Sequence, residues 1–167
     1  MIHIYYGEGK GKTTASIGLA VRAAGAGKRV YIARFLKSKA SGEISALGAI
    51  PNIELGDCPD TLKFTFCMTE NEKASYCEFA EKLLDAAFAS GADMIVLDES
   101  IGAVSVGVLS LERLLAFLRD CPENREVVLT GRDPSAELLE TADYITRMVK
   151  IRHPYDSGQP AREGVEY

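Results

Sequence analysis

The segment Gly7-Glu8-Gly9-Lys10-Gly11-Lys12-Thr13-Thr14 has the residue types for binding a polyphosphate. Glycines let the main chain approach the anion, successive N–H groups and a helix N-terminus supply positive potential, and a lysine and a hydroxyl add a charge and a ligand for a divalent cation. Gly11-Lys12-Thr13 fits that work directly. The usual spacing puts another glycine five residues before the glycine of Gly-Lys-Thr, but that position is Tyr6 here and the glycine has moved to Gly7. The loop is therefore shorter or differently shaped than in an ordinary ATPase, which points to an unusual nucleotide reaction. The bland alternative, a glycine-rich hairpin without a ligand, does not account for two lysines and two threonines beside three glycines in eight residues.

Further candidates lie at the ends of apolar runs. Met94-Ile95-Val96-Leu97 ends in Asp98-Glu99, a carboxylate pair able to hold magnesium facing Thr13 and to accept from ribose hydroxyls. The alternative role is a helix cap or a solvated turn. Val127-Val128-Leu129-Thr130-Gly131 delivers Arg132, whose planar fork suits a phosphate or carboxylate of a second substrate, or a surface ion pair. Arg34-Phe35-Leu36-Lys37 offers Lys37 as a second cation, or as a solvated loop lysine. Phe64 and Phe66, at alternate positions, project to one side of an extended backbone, either into the core or as a wall for a flat, partly apolar ligand.

An alternation of strands and helices must position these groups. Ile2–Tyr6, Arg29–Phe35, Asp93–Asp98, Glu126–Thr130 and Tyr144–Lys150 read as strands, and alternation with helical patterns predicts an α/β fold: a mostly parallel β-sheet with helices on both faces. Ligands bind such sheets at the carboxyl ends of the strands. The first helix is expected from Lys12 to Ala24, ending at Gly25-Ala26-Gly27. Tyr76, Phe79, Ala80, Leu83 and Ala87 keep helical spacing after the N-cap Thr69 and before the stop at Gly91. Leu111, Leu114, Leu115 and Leu118 repeat the pattern after Ser110. Both stripes read as core.

With 167 residues the chain is expected to form a single domain, 1–167, with residues 152–167 as an ordered C-terminal extension. That tail is polar, yet it carries His153, Tyr155, Val165 and Tyr167, which a disordered tail usually lacks. It is expected to wrap over the sheet edge or a neighbouring subunit. A net charge of −5 gives no general footprint for nucleic acid. Four cysteines without C-x-x-C spacing suggest neither zinc nor a disulfide framework. No apolar stretch nears the roughly 20 residues that span a bilayer, and no leader pattern is present, so a cytoplasmic location is expected.

Gly-x-Gly-Lys-Gly-Lys-Thr-Thr at 7–14, Arg-Phe-Leu-Lys at 34–37, Phe-Thr-Phe at 64–66, Leu-Asp-Glu at 97–99, Thr-Gly-Arg at 130–132 and His-Pro-Tyr-Asp-x-Gly-x-x-Ala-x-x-Gly-Val-Glu-Tyr at 153–167 resemble the ATP:corrinoid adenosyltransferase family from end to end. The resemblance implies a P-loop NTPase (RecA-like) architecture and transfer of the 5′-deoxyadenosyl group of ATP to the Co(I) centre of a reduced corrinoid, cobalamin or cobyrinic acid a,c-diamide. Triphosphate is released, in adenosylcobalamin biosynthesis or salvage. It also implies a homodimer and an electron donor such as flavodoxin or a reduced flavin. Residue by residue, Gly7 to Thr14 bind the triphosphate, and Thr13 with Glu99 or Asp98 holds Mg2+ or Mn2+. Phe64 and Phe66 wall the corrinoid, and Lys37, Arg132 and His153 are candidate substrate or supporting contacts.

The chain departs from the pattern at several points. Phe66 stands where the family commonly has tryptophan, Arg34 where it often has glutamine, and Ser100-Ile101-Gly102 where it usually has an apolar residue followed by Asn and Tyr. The chain also opens on its first strand, without the extension that some members use to cover the corrinoid. Two other functions compete: a small ATPase or kinase that uses the γ-phosphate, and a nucleotide- or corrinoid-binding module without turnover.

Overall fold

A computed structural model of the chain describes residues 1–39 and 41–166. Six strands form one sheet: β1 (Ile2–Tyr6), β2 (Val30–Arg34), β3 (Ile53–Leu55), β4 (Met94–Asp98), β5 (Glu126–Gly131) and β6 (Tyr144–Arg147), in the order β3-β2-β4-β5-β1-β6. Every pairing is parallel. All strands therefore end at one edge, and β5 lies between the glycine-loop strand β1 and the acidic strand β4. This is the expected α/β class with RecA-like strand placement.

Alternation along the strands builds two cores. Ile95, Leu97, Val127 and Leu129 face α3 (Glu70–Ala89) and α5 (Leu111–Asp120), meeting Ala80, Leu83, Leu84, Ala87, Leu114 and Leu118. Val30, Ile32, Met94, Val96 and Val128 face the other way, towards Ala20, Ala23 and Ala24 of α1 (Lys12–Gly25) and Leu47 of α2 (Glu43–Gly48). The alanines of α1 let that helix lie close against the sheet. Each Leu or Ile fully buried here contributes about 1.5–3 kcal/mol.

Several boundaries follow local chemistry. The first helix runs on through Gly25, and the left-handed residue after it is Gly27 (φ 82°). Thr69 caps α3 in a reciprocal box: its hydroxyl accepts from the Glu72 amide, while the Glu72 carboxylate accepts from the Thr69 amide at 2.9 Å. Lys63 also binds that carboxylate, and together these contacts pull the Glu72 pKa down to about 2. β6 stops at Arg147, short of the expected Lys150, because the chain there leaves the sheet to follow the glycine loop. The Gly9 amide donates to the Met148 carbonyl at 2.8 Å.

One expectation is corrected. Phe64 to Cys67 is not extended: Thr65–Cys67 is a 3-10 turn closed by the Cys67 amide on the Phe64 carbonyl at 2.8 Å. The turn lets Leu62 and Met68, on either side, pack against the core while Phe64 and Phe66 stay outside.

Candidate functional site

The glycine loop leaves β1 and enters α1 at the carboxyl edge of the sheet. The Gly7 amide donates to the carbonyls of Gly131 (3.2 Å) and Arg132 (3.0 Å), tying the loop to the end of β5. A Cβ on Gly7 would lie 2.5 Å from the Met148 carbonyl oxygen, and one on Gly9 2.8 Å from the Met148 carbonyl carbon. Only glycine allows this approach, and φ of +112° at Gly7 also requires it. No side chain caps α1 and its first turn holds no acidic residue, so its leading N–H groups remain available to an anion. Lys12 is folded back, donating from Nζ to the Gly9 carbonyl at 2.8 Å.

Strand alternation also places the polar residues. Arg34, Asp98 and Thr130 continue the columns of β2, β4 and β5 that face α1, and all three are buried. Asp98 therefore points at the start of α1. Its Oδ1 accepts from Thr13 Oγ1 at 2.8 Å and from Thr130 Oγ1 at 2.7 Å. Thr130 Oγ1 in turn accepts from the Glu99 amide at 2.8 Å. Lys37 Nζ lies 2.6 Å from Asp98 Oδ2, an ion pair in which Oδ2 has no well-aligned hydrogen bond. Arg34 is buried under the loop that follows β2; its Nη1 makes a long 3.5 Å contact with the Ser38 carbonyl and its Nε has no partner.

Glu99 is in the left-handed region (φ 59°) and starts α4 (Ser100–Ser105). Burial, reinforced by Asp98, raises its carboxyl pKa, against the opposing pull of Lys12, Lys37 and Arg132. Burial likewise lowers the Lys12 pKa, with Glu99 resisting and Arg132 adding to the shift.

These groups border a cleft of about 750 Å³. Lys10, Gly11, Lys12, Thr13 and Thr14 line it together with Lys37, Glu43, Glu99 and Arg132. Gly7, Glu8 and Gly9 lie outside the lining, and Asp98 sits beneath it, fully buried. Phe64 and Phe66 are elsewhere, on the turn before α3, where their rings stack at 5.4 Å and 10° while 74% and 84% exposed. His153 does not reach the cleft; its Nδ1 accepts from the Tyr155 amide at 3.2 Å, capping a 3-10 turn at Pro154–Ser157.

Sequence reasoning missed two contributors. Thr130 links Asp98 to Glu99, and only its place in the α1-facing column of β5 signals this. The tail is the other: Gly164, Val165 and Glu166 line the cleft, and the Val165 carbonyl accepts from Lys10 Nζ at 2.7 Å. Arg162 pairs with Glu166 at 3.0 Å, which bends this stretch into a compact clamp. The last residue of the tail motif, Tyr167, lies outside the described residues.

Among the described residues, no three His, Cys, Asp or Glu side chains gather as a metal cluster, and no helix is long and apolar enough to cross a membrane. The donors that do converge are hard oxygens, Thr13 Oγ1 and the Asp98 carboxylate, with Glu99 adjacent. Such a set suits Mg2+ or Mn2+, which need few protein ligands when phosphates complete the shell. Asp98 Oδ2 already attracts a cation, the Lys37 ammonium.

A glycine loop that enters an uncapped helix at the carboxyl edge of a parallel sheet, with a buried carboxylate on its threonine, defines a protein of the P-loop type. The chain is similar in structure to EssC (ATPases 2 and 3) from Geobacillus thermodenitrificans, with a TM-score of 0.52 and 14% identity over 99% of this chain and 36% of that one. That likeness concerns the fold alone. Residues 1–167 match the sequence model of ATP:corrinoid adenosyltransferase BtuR/CobO/CobP, and the chain belongs to this family. It is 31% identical to the corrinoid adenosyltransferase of Escherichia coli, over 100% of this chain and 85% of the relative. Against corrinoid adenosyltransferase CobA of Salmonella typhimurium the figures are 30%, 100% and 85%. Against the corrinoid adenosyltransferase of Pseudomonas aeruginosa they are 32%, 98% and 82%.

Proposed function

We propose that the protein transfers the 5′-deoxyadenosyl group of ATP to the Co(I) centre of a reduced corrinoid, cobalamin or cobyrinic acid a,c-diamide, in the biosynthesis or salvage of adenosylcobalamin. The carrying observation is the convergence of the uncapped start of α1, Lys12 and Arg132 on one cleft, in a chain that matches an adenosyltransferase family over its whole length. In the reaction Co(I) supplies an electron pair to C5′, the C5′–O bond breaks, and triphosphate leaves with the bonding pair.

The residues have distinct tasks. The α1 amides, Lys10, Lys12 and Arg132 surround the triphosphate and stabilise charge that grows on the departing oxygen. Lys12 must first leave the Gly9 carbonyl, its partner in this structure. Thr13 and Asp98, with Glu99 beside them, would hold Mg2+ or Mn2+. The metal there supplies further charge neutralisation on the leaving group. Thr130 fixes the rotamer of Asp98 and the backbone of Glu99. The stacked, exposed pair Phe64 and Phe66 offers a flat apolar face to the corrinoid ring. The same reading includes a cytoplasmic homodimer and flavodoxin or a reduced flavin as electron source.

The test is an anaerobic assay with ATP, Mg2+ and chemically reduced cobalamin, followed by corrinoid absorbance and by analysis of the inorganic product. Formation of an adenosylcorrinoid with one triphosphate per turnover is expected. Orthophosphate without a cobalt–carbon bond would instead identify a γ-phosphate-using enzyme, and binding without turnover a regulatory module.

A further inference from the structure

Lys37 follows the end of β2 and brings its Nζ to 2.6 Å from Asp98 Oδ2, 3.3 Å from Thr13 Oγ1 and 3.9 Å from Glu43 Oε1. Three oxygen acceptors, from β4, α1 and α2, thus converge on one ammonium. The Thr13 hydroxyl gives its proton to Asp98 Oδ1 and accepts from Lys37, so Lys37 takes one of its two lone pairs and sits where a cation shared with Asp98 would lie. Asp98 Oδ1 is engaged by two hydroxyls, which leaves Oδ2 as the acceptor for a cation, and Lys37 holds it.

We infer that Lys37 is a built-in counter-ion occupying the divalent-cation position of the nucleotide-free protein, so that a metal enters with the triphosphate and not ahead of it. This inference rests on the assignment of Thr13 and Asp98 as metal ligands made above. Asp98 is completely buried, and a buried carboxylate without a cation is costly. An ammonium and a dication cannot share these oxygens, since like charges at such separations repel strongly in a partly desolvated site. A free metal ion must therefore expel Lys37 while offering it no new partner. When a triphosphate fills the cleft, the outcome changes: Lys37 lines that cleft and can exchange Asp98 for phosphate oxygens as the metal takes its place. The nucleotide-free site thereby rejects stray divalent ions, and the metal–nucleotide complex is the species that binds.

Titration of the nucleotide-free protein with Mn2+, reading free ion by electron paramagnetic resonance at fixed pH and ionic strength, tests this directly. Wild type is expected to bind Mn2+ weakly, Lys37→Met about tenfold or more tightly, and Lys37→Arg, which retains the charge, as weakly as wild type. Asp98→Asn in the Lys37→Met background should abolish the gained site. Thermal melting by circular dichroism verifies folding, and Lys37→Gln replaces Lys37→Met should the latter melt early. Equal Mn2+ affinity in wild type and the charge-removing variant would overturn the inference. Failure of the wild type to bind Mn2+ even with ATP would instead overturn the metal-ligand assignment beneath it.

Discussion

The carboxyl group of Glu99 occupies the space beside Gly102 that a side chain there would need: a Cβ on Gly102 would lie 2.5 Å from Glu99 Oε1. The segment Ser100-Ile101-Gly102 thus shapes the surroundings of Glu99 through the room it leaves. Gly102→Ala should leave stability within about 1 kcal/mol of wild type, because alanine favours the helix and only the end of a flexible side chain must move. Turnover should fall roughly 10- to 100-fold as the carboxylate is displaced. Gly131→Ala is the contrasting case, since its Cβ would meet Ile101 Cβ at 2.5 Å and the Gly102 amide nitrogen at 2.9 Å. It should cost about 1–3 kcal/mol in denaturant unfolding. Unchanged turnover in Gly102→Ala would remove Glu99 from the working site.

Lys12→Ala is expected to lower adenosyl transfer on the order of 100- to 1,000-fold with little change in melting temperature. Its Nζ donates to a loop carbonyl of its own turn, so the fold does not depend on it. Steady-state rates and a melting curve for one variant check both halves, and near-wild-type turnover would sink the role given to Lys12.

Phe64→Ala and Phe66→Ala should not show the loss of about 3–5 kcal/mol that follows truncation of a core phenylalanine, because both rings are mostly exposed. ATP binding should persist. Activity should drop most when the corrinoid begins as Co(II) and must be reduced on the enzyme, and less when preformed Co(I) is supplied. Equal losses from both starting states, with a large fall in melting temperature, would assign the rings to structure alone.

The half-buried Glu99 carboxyl makes stability depend on pH in an identifiable direction. Burial and then Asp98 raise its pKa above the ordinary glutamate value, so between the unfolded and folded values the native state binds more protons than the unfolded chain. Its contribution is fully present below the unfolded value and is lost as pH rises through the folded one. Glu99→Gln, which cannot ionise, should therefore melt higher than wild type at neutral pH in the absence of nucleotide. The gap should close as pH falls past the usual glutamate range. A constant gap across that range would contradict the assignment.

Much of this arrangement can be read from residue types. The loop at 7–14, the carboxylates at the end of β4 and the arginine after β5 announce themselves by apolar runs that end in polar residues. Thr69 stands where a cap is expected, and it caps α3. What stays hidden depends on register and neighbours. β3 spans three residues, Ile53–Leu55, too few for alternation to register. α4 begins at Ser100 because Glu99 adopts a left-handed conformation that glutamate seldom takes, and Phe64 to Cys67 curls into a turn that alternate spacing does not reveal. The partners of Lys37 lie on three different elements. That the tail reaches the cleft likewise follows from the path of the chain after β6, which leaves no mark in composition.

The close approach of Gly7 and Gly9 to the main chain of Met148 has a consequence for the order in which the protein is built. Synthesis proceeds from the amino end, so the glycine loop exists long before the stretch that moulds it. Until β6 docks beside β1 and Met148 is in place, the Gly9 amide lacks its acceptor, and the loop is tied to the sheet through the Gly7 amide at the end of β5 without its second anchor. A nascent chain on the ribosome thus carries the whole phosphate-binding motif without a finished pocket. On the function proposed above, nucleotide recognition would await the docking of Met148 against the glycine loop, which would make ATP binding a late marker of completed folding.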